Sequence, residues 1–165
     1  MPNCFDLTGR VAVVIGATSG IGRAIAIGLA EHGADVVPSG RRSDGVDEVC
    51  QAIEALGRRT IRTTVDTRSR TALEGLRDSV TTALGHVDIL VNAAGVTQRK
   101  STATVTDGDW TGLLDTNLNA VLRSCQTFYP NLKASEHARI INIASLGSFV
   151  AFHEVAGYCA SKSAV

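Results

Sequence analysis

Short apolar runs alternate with longer amphipathic stretches along this 165-residue chain. RVAVVIG (10–16) is apolar at nearly every position and predicts a buried strand, followed by a helix from Gly20 to about His32. ADVVPS (34–39) predicts a second strand, and DGVDEVCQAIEALG (44–57) a helix closed by Gly57. TIRTTV (60–65) reads as a third strand. SRTALEGLRDSVTTALG (69–85) reads as a helix, with Ser69 as N-cap and Gly85 as stop. VDILVNAAG (87–95) is a fourth strand, and DWTGLLDTNLNAVLRSCQTFYPNL (109–132) a single long helix. ARIINIAS (138–145) is a fifth strand ending at Ser145, and a last helix starts around Gly157. This β-α-β-α rhythm, with short connections, predicts an α/β fold: a doubly wound parallel sheet covered by helices on both faces. No linker or repeat interrupts it, so residues 1–165 read as a single domain.

Composition narrows the function classes. The formal net charge is zero and the pI near 6.9, which lacks the basic footprint of a nucleic-acid binder. The longest apolar runs are far too short to span a bilayer, so no membrane segment is expected. The start, MPNCFDLTGR, has neither the basic nor the apolar region of a signal peptide. Cys4, Cys50, Cys125 and Cys159 form no CxxC pair; reduced thiols in a cytoplasmic protein, with no metal site, are expected.

The first strand runs into GATSGIG (16–22), and a helix follows. Gly16 permits a tight turn. Gly20 and Gly22 let the backbone approach a pyrophosphate and the helix pack closely on the strand. The helix N-terminus offers free N–H groups to phosphates. Gly16, Ser19, Gly20, Ile21 and Gly22 are therefore candidate cofactor-binding residues. Where an acid after the second strand would bind the ribose hydroxyls of NAD, this chain has Gly40, then Arg41 and Arg42. Two guanidinium forks suit a 2′-phosphate, so NADP is expected over NAD.

Near the end, Tyr158 and Lys162 stand four apart and share one helix face, thirteen residues after Ser145. A tyrosine with pKa near 10 is a poor base at neutral pH, and a neighbouring ammonium favours its phenolate. Ser145, at the carboxyl end of a strand, is placed to hydrogen-bond a substrate oxygen as charge develops.

Together, GATSGIG, VNAAG, the serine and Y-x-x-x-K resemble the short-chain dehydrogenase/reductase family over essentially the whole chain. Its glycine motif is usually TGxxxGxG, and Ile15 here replaces the threonine. The resemblance implies a Rossmann-type sheet. It also implies that Asp66 contacts the adenine ring and that Asn92, Ala93, Ala94 and Gly95 lie against the cofactor. Lys162 would also bind the nicotinamide ribose, with Tyr158 beside it, and Asn117 would hold a water linking Lys162 to a proton relay. Asn117, Ser145, Tyr158 and Lys162 form the expected catalytic set.

The implied function is NADP-dependent interconversion of a ketone and a secondary alcohol, on a sugar acid, polyol or similar small substrate. A 3-oxoacyl thioester reductase is the alternative, and a non-enzymatic NADP-binding fragment the alternative of another class. A sugar-nucleotide epimerase ranks last, because GATSGIG does not match GxxGxxG. A homo-oligomer, dimer or tetramer, is expected at full length. Family members continue well past the lysine, so the sheet reads as truncated after the fifth strand and the start of the following helix, within a longer protein. Trp110 is expected to anchor the long helix in the core, and Cys159 to be buried filler. His153, Gln98, Arg99 and Lys100 are read as surface residues before pocket residues.

Overall fold

The computed structural model describes residues 5–165; Cys4 lies outside them. Five parallel strands form one sheet in the order β3-β2-β1-β4-β5. They are β1 (Val11–Ile15), β2 (Asp35–Gly40), β3 (Thr63–Thr64), β4 (Ile89–Asn92) and β5 (Arg139–Asn142). The helices are α1 (Gly20–Glu31), α2 (Ser43–Ala55), α3 (Arg70–Leu84), α4 (Asp107–Leu114), α5 (Ala120–Ala134) and α6 (Ala156–Ala164).

β1 is central, with Ala12 opposite Val36 of β2 and Ile89 of β4. Because successive side chains point to opposite faces, a strand apolar throughout feeds two cores. Val11, Val13 and Ile15 pack with Leu73, Leu76 and Val80 of α3 and Phe128 and Leu132 of α5. Ala12 and Val14 pack with Ala26 and Ala30 of α1 and Val49 and Ile53 of α2. The second face uses small residues, which lets α1 lie close to the sheet.

Three elements depart from expectation. The third strand forms a ladder only at Thr63–Thr64, not over 60–65. As an edge it has one neighbour, and the residues before it pair elsewhere: the Arg62 guanidinium holds both carboxylate oxygens of Glu54, at 2.6 and 2.7 Å. The long helix runs without a break over 107–134 but is not regular: Asp115–Asn119 form a π-helical turn between α4 and α5. Ser145 lies three residues beyond the end of β5, as the N-cap of a short 3-10 turn, Leu146–Ser148.

Trp110 is corrected as well: it is 41% exposed, outside the core. Its indole lies over Gly157 of α6, where an added Cβ would be 3.4 Å from Trp110 Cε3. The helix N-terminus below it is fixed by a capping box, in which Thr106 Oγ1 accepts from the Asp109 N–H and the Asp109 carboxylate accepts from the Thr106 N–H. No helix of the described residues is long and apolar enough to cross a membrane.

Candidate active site

A cleft of about 740 Å³ opens at the carboxyl ends of the strands, across the β1–β4 junction where the strand order reverses. This is where open α/β sheets hold ligands. Of the residues singled out from sequence, Gly16, Ser19, Ile21, Gly22, Arg41, Arg42, Asp66, Ala93, Ala94, Gly95, Tyr158 and Lys162 line it. Gly20, Asn92, Asn117 and Ser145 do not.

The three turn glycines divide the labour. Gly16 has φ +87°, and a Cβ there would come within 2.4 Å of Ala94 N, so it permits close approach of the β1 and β4 ends. Gly22 would collide with Gly16 O, which makes it the close helix–strand contact. Gly20, at φ +55°, faces open space with nothing within 4 Å of an added Cβ. The turn thus leaves backbone accessible at the start of α1, where a helix receives anions. With three arginines on the same wall, this donor set suits a ligand carrying several phosphates.

Arg42 is already held in place. Its Nη2 donates to Thr18 Oγ1 and Ser19 Oγ, both at 3.0 Å, and to the Thr18 carbonyl at 3.4 Å. Arg68, which the sequence did not single out, donates from Nη2 to Asp66 Oδ2 at 2.7 Å and from Nε to Oδ1 at 3.0 Å. The Arg68 guanidinium holds the Asp66 carboxyl down to about 2. Asp66 lines the cleft, and its carboxylate is engaged by Arg68. The only cue was an arginine two residues after an acid, which is common in turns.

The opposite end is organised by hydrogen bonds. Lys162 is buried, and its Nζ donates to the Ile143 carbonyl at 2.5 Å. Burial pushes its pKa below the ordinary lysine value. Ser145 Oγ accepts from the Gly147 N–H at 3.1 Å. A Cβ at Gly147 would lie 3.5 Å from Ser145 Oγ and 3.6 Å from Tyr158 Cε1, so the serine and the tyrosine flank this glycine from two sides. It would also lie 3.2 Å from Cys159 Sγ, and Cys159 is half-buried. Ser148 joins the two segments: its Oγ donates to the Lys162 carbonyl and accepts from the Ser145 N–H.

The side chains of Asn117 and Asn92 are both engaged by protein groups. Asn117 is fully buried in the π turn, a distortion that often marks functional sites. Its Oδ1 accepts from Val96 N–H at 2.8 Å, and its Nδ2 donates to Val96 O at 2.9 Å and Ser161 Oγ at 3.0 Å. Both amide N–H groups are engaged by protein, so the side chain pins the loop after β4 to α6. Asn92 Nδ2 donates to Asn142 Oδ1 at 2.9 Å, and its Oδ1 accepts from Ser124 Oγ at 2.5 Å. It braces β4 to β5 and α5 behind the cleft.

Ser161 and Ser148 were missed because isolated serines carry no pattern; only the folded chain shows what they join. Gln98 and Lys100 both donate to Asp109, at 2.8 and 2.5 Å, and hold its carboxyl far below the usual range. Arg99 pairs with Glu154 at 3.2 Å, and the exposed His153 side chain also approaches Glu154. None of these four lines the large cleft.

A family model described as short chain dehydrogenase matches residues 10–165. The 2-dehydro-3-deoxy-D-gluconate 5-dehydrogenase of Escherichia coli (strain K12) is 37% identical over 99% of this chain and 64% of its own length. The 3-oxoacyl-(acyl-carrier-protein) reductase FabG of the same organism is 32% identical over 96% of this chain and 64% of its length. Among solved structures, a short-chain type dehydrogenase/reductase from Mycobacterium marinum superposes with a TM-score of 0.93 at 29% identity, covering 97% of this chain and 66% of that one. The chain thus spans 64% of the length of these curated relatives.

Proposed function

The chain belongs to the short-chain dehydrogenase family, and from that premise we propose that the whole protein is an NADP-dependent oxidoreductase interconverting a ketone and a secondary alcohol. The observation that carries this reading is one continuous cleft, with Arg41, Arg42 and the glycine turn at one end and Tyr158 and Lys162 at the other. Arg41 and Arg42 favour a phosphorylated ribose, and no acid at the end of β2 competes for its hydroxyls.

The nicotinamide, when bound, supplies or accepts the hydride. The rest falls to this chain. The Tyr158 hydroxyl gives a proton to the carbonyl oxygen in reduction and takes it back in oxidation. The hydrogen bond from Lys162 Nζ to Ile143 O fixes where that side chain sits, one helical turn beyond Tyr158. Ser145 donates to the reacting oxygen as negative charge builds. Asn117 sets the position of this group by tying Val96 to Ser161, one residue before the lysine.

A sugar acid or polyol is the favoured substrate class, supported by the name of the Escherichia coli relative that is 37% identical. A 3-oxoacyl thioester is the second reading, supported by the relative that is 32% identical. The same proposal has the full-length protein working in the cytoplasm as a homo-oligomer, dimer or tetramer. NADPH oxidation against a panel of ketoses, keto sugar acids and 3-oxoacyl thioesters, on protein of verified intact mass, tests it. Turnover on one class identifies it; cofactor binding without turnover on any overturns the enzyme reading. Tyr158→Phe is expected to abolish turnover and leave cofactor binding intact, and retained activity refutes the role assigned to Tyr158.

A further inference from the structure

Arg42 is exposed, and a long exposed side chain ordinarily loses much conformational freedom when it binds. Here part of that ordering is already in place, and Thr18 supplies most of it. Thr18 offers two of the three acceptors that hold Nη2: its hydroxyl at 3.0 Å and its carbonyl at 3.4 Å. All three contacts use Nη2 alone, so they leave the N–H groups of Nε and Nη1 uncommitted by this arrangement.

Thr18 is itself positioned by a notch. A Cβ at Gly40, the last residue of β2, would lie 2.8 Å from Thr18 Cγ2. A Cβ at Gly45, in the first turn of α2, would lie 2.9 Å from Thr18 Cβ and 3.2 Å from its carbonyl oxygen. Neither glycine has a φ in the left-handed region, so backbone conformation does not demand glycine at either position. What demands it is the threonine side chain wedged between strand end and helix start. The glycine turn after β1 thereby docks onto the two elements that flank Arg41 and Arg42.

We propose that Thr18 is a positioning residue for cofactor discrimination: seated in the Gly40–Gly45 notch, it holds the Arg42 fork ready for the 2′-phosphate. This rests on the NADP reading above. A preorganised fork binds phosphate with less ordering cost, and the gain applies only to the cofactor that carries that phosphate. Thr18 therefore acts on the ratio of NADP to NAD affinity through Arg42.

Direct titration of the intact protein with NADP and with NAD, by calorimetry or fluorescence, tests the idea without any turnover. Thr18→Val keeps the branched shape and removes the hydroxyl. It is expected to weaken NADP about three- to tenfold, modest for a charge-assisted bond because the site is exposed, and NAD less than about twofold. Thr18→Ser, which keeps an oxygen, is expected to retain the wild-type ratio. Gly45→Ala, a substitution that favours the helix, is expected to displace Thr18 and lower the ratio as Thr18→Val does.

An unmodified protein that binds NAD as tightly as NADP overturns the NADP reading, whatever Thr18 does. A wild-type preference for NADP that survives in both Thr18→Val and Gly45→Ala overturns the role of Thr18 and leaves that reading standing. Equal loss of both cofactors in Thr18→Val also overturns it, since Thr18 would then shape the phosphate turn alone. Melting curves of each variant show that the comparison is made between folded proteins.

Discussion

β1 and β5 are both short, parallel strands, and each feeds a turn of the site from its carboxyl end. Within this 165-residue chain, which spans 64% of the length of its curated relatives, their surroundings are opposite. Every residue of β1 is at most 1% exposed, whereas all four residues of β5 are exposed, with Ile140 and Ile141 at 47% and 41%. β1 has a neighbour on each side, β2 and β4; β5 pairs only with β4 among the described residues. The turn after β1 is accordingly held by close apolar and backbone packing. The segment after β5 is held by discrete polar contacts: Lys162 to Ile143 O, Ser148 to Lys162 O and Asn92 to Asn142. The two ends of one cleft thus rest on different physics, and they should fail in different ways.

The sharpest break is expected at the packed end. Gly16→Ala forces a Cβ to within 2.4 Å of Ala94 N at φ +87°. A loss of about 3 kcal/mol or more is expected in denaturant unfolding, combining strain and overpacking. Wild-type stability would mean that the β1 and β4 ends do not meet as closely as described.

Paired truncations measure the contrast directly. In a protein of these 165 residues alone, Val13→Ala, in fully buried β1, is expected to cost about 2 kcal/mol, and Ile141→Thr, in exposed β5, less than about 0.5 kcal/mol. Equal costs would remove the distinction.

At the polar end, Asn117→Ala removes the bonds to Val96 and Ser161. A loss of about 1–3 kcal/mol is expected, with faster hydrogen exchange at the Val96 amide. Unchanged protection there would exclude the pinning role.

The smallest effect concerns pH. The Asp66 carboxyl is held at about 2 in the folded protein by Arg68, against about 3.9 for a free aspartate. A lowered folded value means stability that is present above about pH 4 and lost as pH falls toward 2. Arg68→Gln is therefore expected to flatten that acid limb. At neutral pH it should cost less than about 1 kcal/mol, because both side chains are substantially exposed and screened. A steeper acid limb in the variant would contradict the pairing.

Much of the fold was legible in the chain. Alternation of apolar runs with amphipathic stretches placed all five strands and most helix limits, because burial on both faces and a 3.6-residue period leave distinct marks. The π turn was not legible. Within it Asn117 bonds to Val96, twenty-one residues away, and local pattern carries no trace of that contact. The exposure of Trp110 was missed for a related reason: the indole meets Gly157, a residue on another helix. Within the site, the glycine turn, Arg41, Arg42, Tyr158 and Lys162 were found through spacing and chemical type. Arg68, Thr18, Ser148 and Ser161 were not, since what makes them matter is the partner each meets.

What the sequence determined by itself is the order of elements, the family and the chemical types available: glycines where backbones must approach, arginines for phosphate, a tyrosine with a lysine one turn later. Those properties are local, set by side-chain chemistry and by periods of two and 3.6 residues. Only the tertiary structure decided which of these groups share the cleft and which stand behind it. It made braces of the Asn92 and Asn117 side chains, tied Asp66 to Arg68, and seated Thr18 between Gly40 and Gly45. The reason is that a hydrogen bond or a steric notch depends on positions in space, and those are fixed when the β1–β4 junction closes.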